Sequence, residues 1–374
     1  MSAPLDDLVL VGIGGGGSRF VAETVARGIP GIRAIAFDSD ASSPPDGVEF
    51  HPLGVARLEG RGTGGDTVKG RAAAQDDADL VRNAVGPARL AVVAVSLGGG
   101  FGSGAAPDIL KAMRDRGVTT LCLATSPFAL EGADRDSLAR RQLPLVQTAA
   151  DATAVITMDS LFAGAADEPL PAAFGRAASA MADVLSLFWV LLARPGFISV
   201  GVERMLAIIA ASGGRLRVGV ASAEGEDRAV RAVDSLFASP MLGTESRIDG
   251  AGTVQLGVLA GNDLRLSELS AISDSFRRHL PAGCTLSFGT VLDDALAGSV
   301  KLVGLFFDSV IKEETEEPRD RIVSAGHPAR RPARKDPLAR DAQGGRFRGS
   351  EGTIYEGQDL DVPTFQRRNL PIDK

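Results

Sequence analysis

The sequence predicts an α/β fold in two parts. A parallel sheet covered on both faces is joined by one long helix to a smaller α/β domain, and a disordered tail follows. Three observations carry this reading. Short apolar runs alternate with helical stretches from Leu8 to about Ile311, as in parallel strands linked by right-handed crossovers. One helical pattern, residues 171–193, is unusually long and stops at Pro195-Gly196. Composition then breaks at Lys312, beyond which large apolar residues become scarce.

Residues 8–13, 34–37, 90–95, 118–124 and 154–158 are mostly apolar and of strand length, as strands buried on both faces are. Helical patterns at 19–27, 69–85, 105–116 and 137–149 lie between them. After the long helix come a strand-like run at 217–221, a helix near 227–238, and further segments at 253–259, 264–280, 284–290 and 300–307. The boundaries expected are 1–168 for the first domain, 169–196 for the core helix, 197–311 for the smaller domain, 312–357 for a linker and 358–374 for a terminal peptide. No internal repeat is evident.

Composition narrows the function classes. The chain has 374 residues, 44% apolar and 23% charged, enough for two or three domains and a large core. Its net charge of −7 disfavours a protein that coats nucleic acid, which shows a basic footprint. Cys122 and Cys284 are the only cysteines, and His51, His279 and His327 lie far apart. Neither a disulfide framework nor a cysteine- or histidine-rich metal site is expected. The first residues lack a basic region, a long apolar stretch and a cleavage site. The most apolar window, 184–193, is about half the length of a bilayer span, so the chain reads as cytosolic and Trp189 as core.

The linker opens with Glu313, Glu314, Glu316 and Glu317 and continues with Arg330, Arg331, Arg334 and Lys335. With four prolines and little apolar surface, it cannot offset its chain entropy. The basic cluster reads as solvated, with nucleic acid or anionic lipid as the alternative contact. Beyond it, Asp359 to Arg368 combines acids, spaced apolar anchors and a basic end, the make-up of a tethered peptide ligand.

Two glycine runs carry the chemistry. Gly12-Ile13-Gly14-Gly15-Gly16-Gly17-Ser18-Arg19 follows an apolar strand and precedes a helix. Glycine lets backbone N–H groups curl around phosphate oxygens, and a helix N-terminus favours the anion. Alone this resembles a dinucleotide fingerprint, with Asp38 placed to read a ribose. No Gly-Lys-Ser/Thr follows, so a Walker loop is excluded. The second run, Gly98-Gly99-Gly100-Phe101-Gly102-Ser103-Gly104-Ala105-Ala106-Pro107, repeats the arrangement. Two such cradles suit a di- or triphosphate gripped from both sides; a Rossmann dehydrogenase does not explain the second, and tight turns alone do not explain five glycines.

The second run resembles the tubulin/FtsZ signature Gly-Gly-Gly-Thr-Gly-Thr-Gly with Ala-Ala-Pro after it. Pro127-Phe128-Ala129-Leu130-Glu131-Gly132 with Arg135, Ala173-Phe174-Gly175, Ala193-Arg194-Pro195-Gly196, Ala223-Glu224-Gly225-Glu226-Asp227-Arg228-Ala229 and Ser239-Pro240 are similar to further family segments in order. Leu360-Asp361-Val362-Pro363-Thr364-Phe365 is similar to the C-terminal anchoring peptide of bacterial FtsZ proteins. The resemblance implies the tubulin/FtsZ fold, GTP or GDP binding (with Mg2+ held through the phosphates), and head-to-tail stacking into protofilaments in cell division.

It also implies roles. Gly14, Gly15, Gly16, Gly17, Ser18 and Arg19 would form the first cradle, and Gly98, Gly99, Gly100, Gly102, Ser103 and Gly104 the second. Gly64 and Gly65 would sense the terminal phosphate near Asp40. Glu131 and Arg135 would reach the ribose side, Phe174 would stack on the base, and Ala178 would face it. Leu360, Asp361, Val362, Pro363, Phe365, Arg367 and Arg368 would bind membrane-tether or division proteins, placing the protein in the cytoplasm at the inner face of the membrane. The partners implied are further copies of the chain and a conventional FtsZ, with no nucleic acid and no membrane span.

Departures bear on catalysis. Where relatives read Asn-Val-Asp-Phe-x-Asp after the core helix, this chain reads Ser199-Val200-Gly201-Val202-Glu203-Arg204. Both acids are replaced, and losing a general base commonly costs 10²–10⁴ in rate. Glu203, one position out of register, is the substitute catalytic candidate. Met158, Ala178 and Arg19 stand where relatives carry asparagine or aspartate, which weakens base selection. Phe101 replaces a threonine and is expected to crowd the terminal phosphate. Slow or lost hydrolysis is the expectation; an active GTPase using Glu203 and a nucleotide-free interaction scaffold are the alternatives.

Overall fold

Strand β1 (Leu8–Ile13) is buried at every residue, and its alternation divides the core. Leu8 and Leu10 join one apolar cluster while Val9, Val11 and Ile13 join another on the opposite face, as the two-residue period of a strand requires. The computed structural model describes residues 5–162, 167–243, 248–309, 354–355 and 358–359.

After β1 come α1 (Gly14–Ala26), β2 (Ala34–Asp38), β3 (Glu49–Pro52), α2 (Val55–Leu58), α3 (Thr67–Asp76), α4 (Ala78–Ala84), β4 (Leu90–Ser96), α5 (Gly100–Asp115), β5 (Thr119–Ser126), α6 (Ala133–Ala149), β6 (Ala152–Thr157) and α7 (Met158–Leu161). The core helix α8 spans Leu170–Ala193. It leads to α9 (Val202–Ala210), β7 (Ser212–Glu224), α10 (Arg228–Phe237), β8 (Ala251–Ala260), α11 (Leu266–His279), β9 (Thr285–Leu292) and β10 (Ser299–Ser309).

These strands form one ten-stranded sheet in the order β3-β2-β1-β4-β5-β6-β7-β10-β8-β9. From β3 to β7 every pairing is parallel, so all these carboxyl ends share one rim. Among the described residues, the sheet runs from one half to the other through two register pairs, Thr153–Arg215 and Ala154–Leu216. Helix α8 sits against both halves. A Cβ on Gly257 would fall 2.9 Å from Leu191 Cδ2, and one on Gly289 2.5 Å from Leu191 Cδ1. Glycine at those two strand positions lets the helix side chains seat against the sheet.

By length and composition α8 could cross a membrane, yet 72% of its most apolar window is buried within the protein. The whole helix is longer than the 184–193 window suggests, and its apolar surface is taken up by the fold. Contacts divide the chain into two compact units, Met1–Glu313 and Glu314–Lys374. In the second, Ile354–Tyr355 pairs antiparallel with Gln358–Asp359. The rest of the expected linker and all of the expected partner-binding peptide from Leu360 to Arg368 lie outside the described residues.

Five elements differ from the sequence expectation. Helices α1 and α5 begin inside the glycine runs, not after them. The pattern at 69–85 splits at Asp77, whose carboxylate accepts from the Gly54 N–H (2.6 Å) instead of pointing along a continuous helix. Strand β3 was hidden because an edge strand reading Glu-Phe-His-Pro has no apolar run. Helix α9 takes in Glu203 and Arg204, which the sequence places in a loop, and buries Val202, Met205, Ile208 and Ile209.

Arg228 is the buried charge of the second half. It is 5% exposed and donates to Glu268 (2.7 Å) and Asp263 (2.7 Å). The guanidinium holds both carboxylates below their ordinary range. Arg228→Met leaves two carboxylates without their cation and should cost roughly 2–3 kcal/mol at pH 7, less than for a fully buried pair because Asp263 is partly exposed. Carboxylates depressed on folding stabilise above the unfolded value near pH 4, and that contribution vanishes as pH falls through the folded values. Urea melts should therefore separate the variant from the natural chain more at pH 7 than at pH 3.

Candidate functional site

Register pairs Ile13 with Phe37 and Val95, so the segments after β1, β2 and β4 leave the sheet side by side. A Cβ built on Gly14 would lie 3.0 Å from both Cα and N of Gly102. The two glycine runs therefore touch. Gly14 has φ +72° and Gly98 φ +99°, a region that penalises side chains, and each makes a turn where strand gives way to helix.

Most of these glycines serve packing. A Cβ on Gly17 would overlap the Ala94 carbonyl oxygen, one on Gly16 the Ser96 side chain, and one on Gly104 the Thr67 carbonyl. On Gly102 it would be 2.7 Å from the Ser96 carbonyl oxygen, and on Gly100 2.6 Å from Asp66 N. Four others have room. Gly15 has only Asp38 Oδ2 nearby, at 3.7 Å, and nothing lies within 4 Å at Gly64, Gly65 or Gly99. These open positions lie on or beside the turns that leave the carboxyl ends of parallel strands, where an open α/β sheet forms its ligand crevice.

The Gly98 N–H donates to Ser103 Oγ (2.8 Å), so this buried hydroxyl braces the second turn. Phe101 is 5% exposed and belongs to the core beneath the crevice; its ring is packed inward and does not crowd the opening. Ser18 and Ser39 are 5% and 1% exposed, and their hydroxyls have no partner among the described residues. Such orphaned groups ask for a ligand or water. Together with the N-terminal amides of the long helices α1 and α5, they suit a polyphosphate. Arg19 is exposed beside them on α1.

Asp66 caps α3 by accepting from the Val68 N–H (2.8 Å), which fixes the Gly64-Gly65 turn against Gly100. Asp40 accepts from Ser42, which keeps its carboxyl below the ordinary range. Glu131 accepts from the Phe128 N–H (3.0 Å) and pairs with Arg135, so each is already partnered. Gly98 packs on Pro127 and Arg135, tying this segment to the second turn.

The sequence reading gave no role to Phe128 or Phe162. Phe128 lies 4.5 Å from Phe162, which meets Phe174 edge-on at 4.9 Å and 70°. Met158 and Ala178 are buried nearby in the same apolar cluster. Phe128 falls within the Pro127–Gly132 segment that resembles the family's, whereas nothing in the sequence marks Phe162.

Residues 7–165 match the family described as the Tubulin/FtsZ family, GTPase domain, and residues 214–306 match the FtsZ family, C-terminal domain. The chain belongs to the tubulin/FtsZ family. An empty FtsZ dimer from M. jannaschii superposes with a TM-score of 0.75 at 26% identity, covering 82% of this chain and 88% of that one. CetZ2 from Haloferax volcanii, in a GTPγS-bound protofilament, gives 0.68 at 24% identity, covering 82% and 94%. At that identity the CetZ2 likeness is one of fold.

In this FtsZ-like chain the loop after the core helix lies at the other end of the sheet. Glu203, in the first turn of α9, forms an ion pair with Arg89, the residue just before β4. Seven residues of strand, about 23 Å, separate that pair from the glycine crevice. Arg89 holds the Glu203 carboxyl below the ordinary range, which makes it a weaker base. Nearby, Ser199 Oγ donates to the Gly196 carbonyl (3.0 Å), Arg194 pairs with Asp293 (2.7 Å), and Phe197 is 85% exposed. Nothing in sequence spacing could have found Arg89, which is 114 residues from Glu203.

Proposed function

We propose that the protein is an FtsZ-like cytoskeletal subunit that binds GTP and GDP, stacks head-to-tail into protofilaments during bacterial cell division, and hydrolyses GTP slowly or not at all. The contact between Gly14 and Gly102 is the observation that carries this reading. It joins two helix N-termini into one crevice of the right chemistry for a di- or triphosphate. The amides of Gly15 and Gly99, with Ser18, would hold phosphate oxygens, Gly64 and Gly65 would meet the terminal one, and Phe174 would stack on the base. Mg2+ would ride on the phosphates and neutralise their charge.

No single copy can act on its own nucleotide with Glu203, because crevice and helix α9 occupy opposite ends. A second copy stacked above would bring α9 over the crevice, a heterologous contact that repeats without closing. What it would bring is Gly201, Arg204 and a glutamate already paired with arginine. That set is poor at orienting water. The protein would work in the cytoplasm, beside further copies or a conventional FtsZ. The segment from Leu360 to Arg368 would attach it to membrane-tether or division proteins.

Electron microscopy of the full chain with and without GTP, alongside phosphate release, tests the reading. Filaments that depend on GTP, with little release, are the expected result. Robust release lost in Glu203→Ala would favour an active GTPase. Melting curves unmoved by GTP, GDP and ATP would leave an interaction scaffold, since a bound ligand must raise stability by mass action.

A further inference from the structure

Resting on the nucleotide reading above, we propose that Asp38 gates the first cradle by charge: a polyphosphate is admitted with a proton on the Asp38 carboxyl and turned away while that carboxyl is ionised. Asp38 ends β2 beside the first turn of α1. Its Oδ2 is the one group near the open Gly15 position, 3.7 Å from where a Cβ would stand. Its Oδ1 accepts from the N–H groups of Ser39 (2.7 Å) and Asp40 (3.4 Å). Among the described residues Oδ2 has no hydrogen-bond or ion-pair partner.

Among the described residues no cation pairs with Asp38. Asp40, on the same loop, is a like charge acting on Asp38. Arg61, opposite Asp40, pairs with Glu59. On β3 the residue in register with Asp38 is Pro52, and His51 pairs with Glu49 while stacking on Phe37. Arg19 of α1 is exposed and makes no ion pair with Asp38. Burial, and secondarily the Asp40 charge, push the Asp38 carboxyl above its ordinary value against the pull of two backbone N–H groups. A phosphate seated at Gly15 adds a further anion within a few ångströms, and like charges in one site resist joint ionisation. Binding therefore draws one proton from solvent onto Oδ2.

The gate lies on the cradle itself and differs in sign from a ribose-reading role. As a hydroxyl acceptor, Asp38 would strengthen nucleoside binding; as a gate, it weakens phosphate binding. Calorimetry on the full chain, in chelator from pH 5.5 to 8, with GDP and inorganic tripolyphosphate as probes, separates them. Asp38→Asn keeps shape, His51 and Asp40, so the difference between the two chains isolates the carboxyl.

The natural chain should lose affinity more steeply with rising pH than Asp38→Asn, by up to tenfold per unit. At pH 8 the variant should bind tripolyphosphate at least tenfold more tightly. Titrations in two buffers of different ionisation enthalpy should show the natural chain taking up about one proton beyond the probe's own titration, a readout that stands even if the variant does not fold. Parallel pH profiles, no extra proton, or a variant weakened for GDP and unchanged for tripolyphosphate would overturn the gate alone. Failure of both chains to bind either probe would overturn the nucleotide reading with it.

Discussion

Phosphate release by the assembled protein should rise by roughly 10²–10³ when Gly201→Asp and Arg204→Asp are introduced together. These are the two positions where the family resemblance places acids. The backbone accepts both changes. Gly201 has φ −81° and ψ 159°, an extended conformation open to any residue, and nothing lies within 4 Å of an added Cβ. It is also the N-cap of α9, where aspartate is favoured. Arg204 is exposed in the first turn, where an acid complements the helix dipole. Each single variant should recover less than the pair, because one acid would still face either a missing partner or a cation. Filaments from the double variant that release phosphate no faster would mean that the defect lies at the glycine crevice.

The second large effect separates glycines that pack from glycines that face ligand. Gly17→Ala drives a methyl into the Ala94 carbonyl oxygen, with Val95 Cα only 3.3 Å away. Helix and strand backbone cannot yield there as a side chain could. The loss of stability should be about 3 kcal/mol or more, at the upper end for an overpacked core. Gly99→Ala meets nothing within 4 Å at φ −95° and should change stability by less than about 0.5 kcal/mol. Its methyl would stand in the mouth of the second cradle, so GTP affinity should fall tenfold or more. Denaturant unfolding and calorimetry on the two variants check the contrast. Gly99→Ala binding as tightly as the natural chain would remove Gly99 from the phosphate site.

Much of the fold was legible because its strands are buried on both faces. The run Leu-Val-Leu-Val-Gly-Ile fixes β1 without help from tertiary context, and 171–193 differs from the core helix by a single residue at its start. What escaped notice follows from physics that spacing does not record. Strand β3 is polar because it lies on an edge. Asp77 breaks a helix to satisfy a distant amide. The glycine runs pointed to the crevice, but sequence could not tell Gly17, held by a carbonyl, from Gly15, which is open. Phe101 read as an obstruction and instead lies in the core, since α5 begins early enough to turn its ring inward. Arg89, which subdues Glu203, could be found only by folding the chain.

The parallel pairing from β3 to β7 has a further consequence. The carboxyl ends of β1, β2 and β4, and with them the open glycine turns, lie at one pole, while Phe197 and α9 lie at the other. A head-to-tail stack of such copies would be directional, one tip ending in bare glycine turns and the opposite tip in an exposed phenyl ring. A copy with its crevice blocked could then add by its intact pole and stop growth there, while the far tip went on growing. Substoichiometric amounts of a crevice-blocked variant would thus act as a one-sided plug.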